Sequence, residues 1–211
     1  MDNFQHSSAT YFNRELSLFE FHQRVLAQAL DLSLPVLERL NFLIIFSRNL
    51  DEFFEIRIAG LMKQRDMNAI ARTPDALPTD VVLQDLSQSI HTAVQKQFET
   101  LNHSILPELQ AHGIQFLQFQ DILEKHKTWI AEYFAKEIQP VLTPISLDPS
   151  HPFPRLVNKS LNFIVSLQGK DAFGRSIEMA IVPAPRSLPR LISMPKAVSG
   201  SVDTQIFLTA M

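Results

Sequence analysis

The chain has 211 residues, of which 45% are hydrophobic and 19% charged, and its formal net charge is -3. A chain of this length buries roughly 70% of the surface that it exposes when unfolded. Its composition excludes charge-driven disorder and argues against a nucleic-acid partner. Cysteine is absent, which excludes disulfides, thiolate metal sites and a cysteine nucleophile. Because there is no leader-like start and no apolar run of about 20 residues, we expect neither secretion nor a transmembrane segment.

The first predicted helix follows a capping signal. Ser17 and Glu20 have the spacing of a capping box, and Leu16 and Phe21 are placed to pack across it. The signal predicts that the helix begins at Leu18. Apolar residues then recur at helical spacing, namely Leu18, Phe21, Val25, Leu26, Ala29, Leu30 and Leu32.

Two more helices are predicted on either side of Asn49. Pro35 suits the start of a helix over residues 36–46, which is apolar around most of its circumference and is therefore expected in the middle of a bundle. Asn49 and Glu52 repeat the cap spacing, so Asn49 is predicted to cap a third helix over residues 50–64. The side chains expected to be buried on that helix are Leu50, Phe53, Phe54, Ile58 and Leu61.

A loop with two prolines, over residues 69–79, separates these helices from a longer one. Apolar side chains run from Leu83 to Ile105 at spacings of three and four residues, as in an amphipathic helix. Pro107 and Gly113 are predicted to close the region. The helical domain is thus expected to end near residue 110.

The pattern changes in the second half of the chain. A helix around Trp129 is predicted to stop at Pro140. The β-branched and aromatic runs at residues 161–167 and 177–182 predict a β-hairpin, which is marginal in water on its own. Another apolar segment begins at residue 205. The sequence predicts an α + α/β fold, with an antiparallel helical domain over residues 1–110 and an incomplete α/β domain over residues 111–211, the front part of a longer protein.

Three sets of residues are candidates for a binding or catalytic site, but for each of them the sequence favours a purely structural role. Residues 169–176 differ from the phosphate-binding pattern GxxxxGK[ST] only at Arg175, but a strand pattern follows them, so a turn is favoured. Asp51 and Glu55 stand one turn apart, like a metal or acid–base pair, but without a further ligand nearby they are expected on a solvated helix face. The histidines lack metal-ligand spacing and are expected at the surface or at caps: His22, His91, His103, His112, His126 and His151.

Blocks of residues along nearly the whole chain resemble the opening of polyphosphate kinases, of the large type that works through a phosphohistidine. The first blocks are residues 12–21, 24–26, 38–40, 42–43 and 47–54, with Arg57 and Ala59. Further blocks are residues 142–145, 151–154, 158–163 and 185–190. Several blocks in one order are more specific than any single short motif.

The resemblance implies the helical N-terminal domain and part of the head domain of a four-domain enzyme. Such enzymes reversibly transfer the terminal phosphate of ATP to polyphosphate, with magnesium, through a histidine that would lie downstream of this chain in the C-terminal domains. No histidine here matches that context, so the resemblance places no catalytic residue and no metal ligand in these residues, and the chain alone is expected to be inactive. The implied partners are ATP, polyphosphate, the C-terminal domains and further copies in a homo-oligomer. The implied location is the cytoplasm, including peripheral attachment to a membrane.

One functional residue carries over from the resemblance. The family motif has an asparagine of the ATP site directly before Leu-Asp-Glu-Phe, and that position is Asn49. A cap role is compatible with ATP contact, because a helix start presents free N–H groups to an anion. A non-catalytic helical interaction module is the alternative function, suggested by the amphipathic helix between Leu83 and Ile105.

Overall fold

The computed structural model describes residues 11–67, 75, 77–117, 119–148, 152–169, 178–199 and 205–209. The chain divides into two compact units, Met1–His112 and Gly113–Met211. The first unit is helical and the second is a mixed α/β unit with small sheets, which confirms the predicted fold class.

Five α-helices lie among the described residues of the helical unit, and some of them join end to end through wider π-helical turns. Its described elements are α1 (Arg14–Leu30), α2 (Val36–Glu52), a π-helical turn (Phe53–Ile58), α3 (Ala59–Asp66), α4 (Thr79–Thr100), a second π-helical turn (Leu101–Ile105) and α5 (Leu106–Ala111).

The first helix begins earlier than predicted. Asn13 caps α1, and its side-chain oxygen accepts the backbone N–H groups of Glu15 and Leu16 at 3.0 Å. The amide nitrogen of Asn13 donates to Asp75 at 2.7 Å, so the cap also holds the segment before α4. The predicted start at Leu18 was wrong because Asn13, four residues before Ser17, provides the cap and nothing at Ser17 interrupts the helix.

The predicted break at Asn49 is also absent. α2, the π-helical turn and α3 form one continuous helical segment, and Asn49 lies inside it instead of capping a new helix. The backbone N–H of Phe53 is shared between the carbonyl oxygens of Asn49 and Leu50, so no free helix start exists there. Asparagine is a weak helix former but not a helix breaker, and tertiary packing overrides that preference.

α1 and α2 each bury one narrow stripe of side chains. α1 buries Phe19, His22, Leu26 and Ala29, and α2 buries Val36, Arg39, Leu43 and Phe46. Leu37 and Ile44 are 58% and 49% exposed, so the predicted central position of α2 was wrong. Of the residues predicted to be buried after Asn49, Phe53 and Ile58 are buried, whereas Phe54 is 46% exposed.

A buried arginine joins three parts of the helical unit. Arg39 is 2% exposed and donates to the carbonyl oxygen of Ala29 at 3.0 Å, to Glu108 at 2.8 Å and to Ser104 at 2.7 Å. Each of its three hydrogen-bonding nitrogens therefore has an acceptor. This arrangement satisfies a charge that would be costly to bury alone.

The long helical segment of α4 and α5 passes through Pro107. The N–H of Leu106 donates to the carbonyl of Leu101, five residues back, which marks the wide π-helical turn just before the proline. Such a turn relieves the clash between a proline ring and the preceding turn. Pro107 therefore does not close the helix, whereas Gly113, with a φ of 78°, follows its end as predicted.

In its described residues, the mixed unit has two three-stranded sheets and several short helices. Its described elements are β1 (Ile114–Leu117), a 3₁₀ turn (Phe119–Asp121), α6 (Glu124–Tyr133), a π-helical turn (Phe134–Ile138), a 3₁₀ turn (Gln139–Val141), β2 (Ile145–Ser146), β3 (Asn162–Ser166), β4 (Met179–Pro183), β5 (Leu191–Ser193), α7 (Lys196–Ser199) and β6 (Gln205–Thr209).

The predicted hairpin and the predicted terminal apolar segment belong to different sheets. β3 and β4 pair antiparallel, which confirms the hairpin, and β2 adds to the other edge of β4. β6 pairs parallel with β1 and antiparallel with β5. The core of this second sheet is a cluster of Leu117, Ile192, Met194 and Ile206, against which Trp129 and Tyr133 of α6 pack.

Candidate functional site

A surface pocket of about 320 Å³ lies between α1 and the junction of α2 with its π-helical turn. Its wall from α1 consists of Leu18, Phe21 and His22, and its opposite wall consists of Asn49, Glu52, Phe53, Ile56 and Arg57. It thus combines apolar and aromatic surface with an amide, a carboxylate and a guanidinium. Pockets of this mixture, with few polar groups among apolar ones, are typical of small-molecule sites.

The α2 side of the pocket is one helical stripe. Counted from Asn49, the pocket residues lie three, four, seven and eight positions further along the chain, which is the spacing of neighbours on one helix face. The stripe crosses from α2 into the π-helical turn at Phe53. Wider π-helical turns are frequent at functional sites. Asn49 is half-buried in this stripe.

The α1 side of the pocket is built on aromatic packing. The ring of His22 lies edge-on to that of Phe53, with centroids 5.4 Å apart, and edge-on to Phe19 at 6.3 Å. Phe19 and Phe53 in turn lie 6.1 Å apart. Phe21 is 47% exposed, and the Arg24 guanidinium lies 5.7 Å from its ring centre. One wall is therefore fixed by buried rings while Phe21 presents an accessible aromatic surface.

His22 is a buried polar group within this aromatic cluster. It is 5% exposed, and its Nδ1 is buried with no hydrogen-bond partner in the described part of the chain. Burial lowers the pKa of His22, while the nearby Glu52 carboxylate acts in the opposite direction. The prediction of a surface or cap position was wrong for His22. It was right for His126, whose Nδ1 accepts the N–H of Leu123 at the start of α6.

The polar groups of the pocket are not used by the fold. Within the described residues, the side chains of Asn49, Glu52 and Arg57 make no hydrogen bond or ion pair with other protein groups. Their hydrogen-bonding capacity is available to a ligand. Of these three, only Asn49 was assigned a binding role from the sequence. If one helix had been predicted through Asn49, Glu52 and Arg57 would have been placed on the same helix face as Asn49, because they follow it by three and eight residues.

The other sequence candidates do not join this pocket. Asp51 and Glu55 are exposed on the same helical segment but are not among the residues that line it. The glycine-rich stretch at 169–176 lies, apart from Gly169, outside the described residues. In the part of the chain that the structure describes, no group of three or more His, Asp and Glu side chains is arranged to hold a metal ion.

Comparison with known families identifies this combination of a helical domain and a small mixed domain. Residues 11–117 match the polyphosphate kinase N-terminal domain, and residues 125–211 match the polyphosphate kinase middle domain. The chain belongs to the polyphosphate kinase family. The resemblance seen in the sequence blocks is thereby confirmed.

Curated relatives and a solved structure agree with this assignment. The chain is 53% identical over 97% of its length to the polyphosphate kinase of Pseudomonas aeruginosa and covers 30% of that protein. It is 49% identical over 89% of its length to that of Burkholderia multivorans, of which it covers 27%. The crystal structure of polyphosphate kinase from Porphyromonas gingivalis superimposes with a TM-score of 0.72 at 27% identity, over 94% of this chain and 28% of that one. The chain thus spans about 30% of the length of these relatives.

No helix in the described residues combines the length and the apolar character needed to cross a membrane.

Proposed function

We propose that this chain forms the N-terminal and middle parts of an enzyme that reversibly transfers the terminal phosphate of ATP to polyphosphate, and that the pocket at Asn49 binds the nucleotide. The observation that carries the proposal is the convergence of Asn49, Glu52 and Arg57, all without protein partners in the described residues, on one pocket. Family membership adds ATP and polyphosphate as the substrates.

The pocket chemistry suits a nucleotide. An asparagine amide offers a donor and an acceptor side by side, which matches the edge of adenine. An accessible aromatic ring such as Phe21 provides a stacking surface for a base. The guanidinium of Arg57 adds a positive charge that suits phosphate oxygens. The volume of about 320 Å³ is at the lower end of the range for small-molecule sites, so it suits part of a nucleotide.

The chemical step is proposed to lie outside these residues. The phosphohistidine and the magnesium site are proposed to lie in the parts of the enzyme that this chain, at about 30% of the length of its relatives, does not span. Magnesium, when bound, neutralises phosphate charge during phosphoryl transfer. The present chain would contribute nucleotide positioning, and contacts with its C-terminal domains and with further copies in a homo-oligomer. Such an enzyme would act in the cytoplasm or peripherally at a membrane.

The test is a replacement of Asn49 by Ala in a polypeptide that carries this chain followed by the remaining domains of the enzyme. Loss of about one or two hydrogen bonds should raise the KM for ATP about tenfold. Asn41→Ala is the matched control, since Asn41 is exposed on the same helix and outside the pocket. An unchanged KM in Asn49→Ala would remove the proposed nucleotide site.

The alternative of a non-catalytic interaction module has less support. It depended on the amphipathic helix between Leu83 and Ile105. In the fold, α4 buries its stripe, including Leu86 and Ile90, and packs against α1. Nucleotide titration and light scattering on the 211-residue chain separate the two functions. A specific complex with another protein and no response to nucleotide would favour the module.

A further inference from the structure

Asn49 alone does not determine which purine enters the pocket. Its side-chain amide carries a donor and an acceptor, and rotation of the amide by half a turn exchanges them. In one orientation it accepts from the 6-amino group of adenine. In the other it donates to the 6-oxo group of hypoxanthine or guanine, so the amide is compatible with both classes of base.

Glu52 differs from Asn49 in this respect. A carboxylate accepts hydrogen bonds through both oxygens and cannot donate when ionised. Glu52 lies three residues after Asn49, so both side chains project from neighbouring positions of one helix face into the same pocket. Its side chain is exposed and makes no hydrogen bond or ion pair with the described residues. The carboxylate is therefore available to a ligand and has a fixed polarity.

Neither the imidazole nor the guanidinium beside Glu52 bonds to its carboxylate. The His22 ring, on which the Glu52 carboxylate acts electrostatically, lies within the aromatic cluster beside Phe53. Arg57 lines the pocket as well but forms no ion pair with Glu52. A ligand between the two would meet an acceptor at Glu52 and a donor at Arg57.

We infer that Glu52 determines base specificity by accepting an N–H from the exocyclic 6-amino group of the purine, so that the pocket takes 6-aminopurine nucleotides and rejects 6-oxopurine nucleotides. The inference rests on the proposed function, because it requires the base to bind at Asn49. An exocyclic amine has two N–H groups. The one on the N1 side goes to the amide oxygen of Asn49, and the one on the N7 side goes to Glu52. In a 6-oxopurine, O6 and N7 are both acceptors on that side and would face the carboxylate with no proton between them, which is unfavourable.

The test compares three nucleoside triphosphates in the enzyme that contains this chain and its downstream domains. ATP has the 6-amino group, ITP has a 6-oxo group, and purine riboside triphosphate has neither. Glu52→Gln replaces the fixed acceptor by an amide that can also donate. We expect the ratio of kcat/KM for ATP to that for ITP to fall at least about tenfold, while kcat/KM for purine riboside triphosphate changes less than about twofold.

Two further variants make the outcome decisive. Glu55→Gln removes a carboxylate from the same π-helical turn but outside the pocket, and it should leave the ATP/ITP ratio unchanged. Glu52→Asp retains an acceptor-only side chain and should keep the preference for ATP even if binding weakens. If Glu52→Gln misfolds, the Asp variant still tests the inference, because a lost preference in a folded Asp variant contradicts it.

The failures of the inference and of the proposed function are distinguishable. If Asn49→Ala raises the KM for ATP while Glu52→Gln leaves the ATP/ITP ratio within twofold, Glu52 does not read the base and only the inference is wrong. If Glu52→Gln weakens all three nucleotides equally, its role is structural, and the inference is again wrong. If Asn49→Ala has no effect, the nucleotide site itself is wrong.

Discussion

The buried helix stripes of the helical unit and strand β3 of the mixed unit differ in how far their apolar side chains are exposed. In the helical unit, side chains such as Phe46, Leu86 and Ile105 are fully buried. In the mixed unit, Phe163, Ile164 and Val165 of β3 are 44%, 68% and 38% exposed. Successive side chains of a strand point to opposite faces, so both faces of β3 carry exposed apolar surface. A continuous apolar run such as that of β3 is typical of a strand covered on both faces. Because β3 is nevertheless exposed, the hydrophobicity of a segment does not by itself tell whether the segment is buried.

The candidate site belongs to the helical unit. Closely packed aromatic residues of this unit fix the wall of the pocket that His22 and Phe53 form. Rigid elements hold binding groups more accurately than loops do. In this unit, a well-packed core therefore lies next to polar side chains that make no hydrogen bond or ion pair with the described residues.

The largest expected effect is a difference in the stability lost when an apolar side chain is removed from each unit. Phe46→Ala removes a fully buried ring and should lower the free energy of unfolding by about 3–5 kcal/mol. Ile164→Ala removes an exposed side chain and should cost about 0.5 kcal/mol or less. Urea titration followed by circular dichroism reports the helices, and fluorescence of Trp129, the single tryptophan, reports the second unit. Equal losses in the two variants would contradict the difference in burial.

A smaller effect is expected from the buried arginine. Arg39→Ala leaves the carbonyl of Ala29 without its donor and opens a cavity, so it should cost about 2–4 kcal/mol. Glu108 is 39% exposed and regains water, which limits the loss. Arg48→Ala, an exposed position on α2, is the control and should change stability by about 0.5 kcal/mol or less. The same urea titration measures both; similar losses in the two variants would show that Arg39 does not hold the helices together.

The smallest effect is a pH dependence from His22. Burial lowers its pKa in the folded state below the ordinary value of 6.5, so below about pH 6.5 the unfolded chain binds more protons than the folded one. Stability should therefore fall as the pH falls through this range. His22→Phe keeps an aromatic ring without a titratable group and should flatten that fall, whereas His91→Gln, at an exposed position on α4, should not. Unfolding free energies measured at several pH values between about 5 and 8 test this; parallel curves for wild type and His22→Phe would contradict it.

Two prolines show why the ends of helices were harder to predict than the helices themselves. Pro107 and Pro140 each follow a π-helical turn, yet the helix continues past Pro107 and ends at Pro140. After Pro140 the chain soon reaches Pro144, which disfavours helical backbone at the preceding residue. No such residue follows Pro107. The effect of one proline thus depends on residues several positions away and on a hydrogen-bond shift that sequence spacing does not reveal.

The candidate site was predictable only in part. Asn49 was identified through the family resemblance, and it lines the pocket, but its predicted role as a helix cap was wrong. Glu52 was interpreted as the partner of Asn49 in a cap spacing, since the predicted helix was broken at Asn49. His22 was expected at the surface or at a cap because the histidines lack metal-ligand spacing, and that spacing does not report burial. The pocket depends on the packing of α1 against α2, which a single sequence does not specify.

The most direct test of the account is a structure of the enzyme that carries this chain and its downstream domains, bound to a non-hydrolysable ATP analogue. The account predicts the adenine base between Phe21 and the Asn49 side of the pocket, within hydrogen-bond distance, about 3.2 Å or less, of the Asn49 amide. A base bound elsewhere, with only solvent at Asn49 and Glu52, would contradict it.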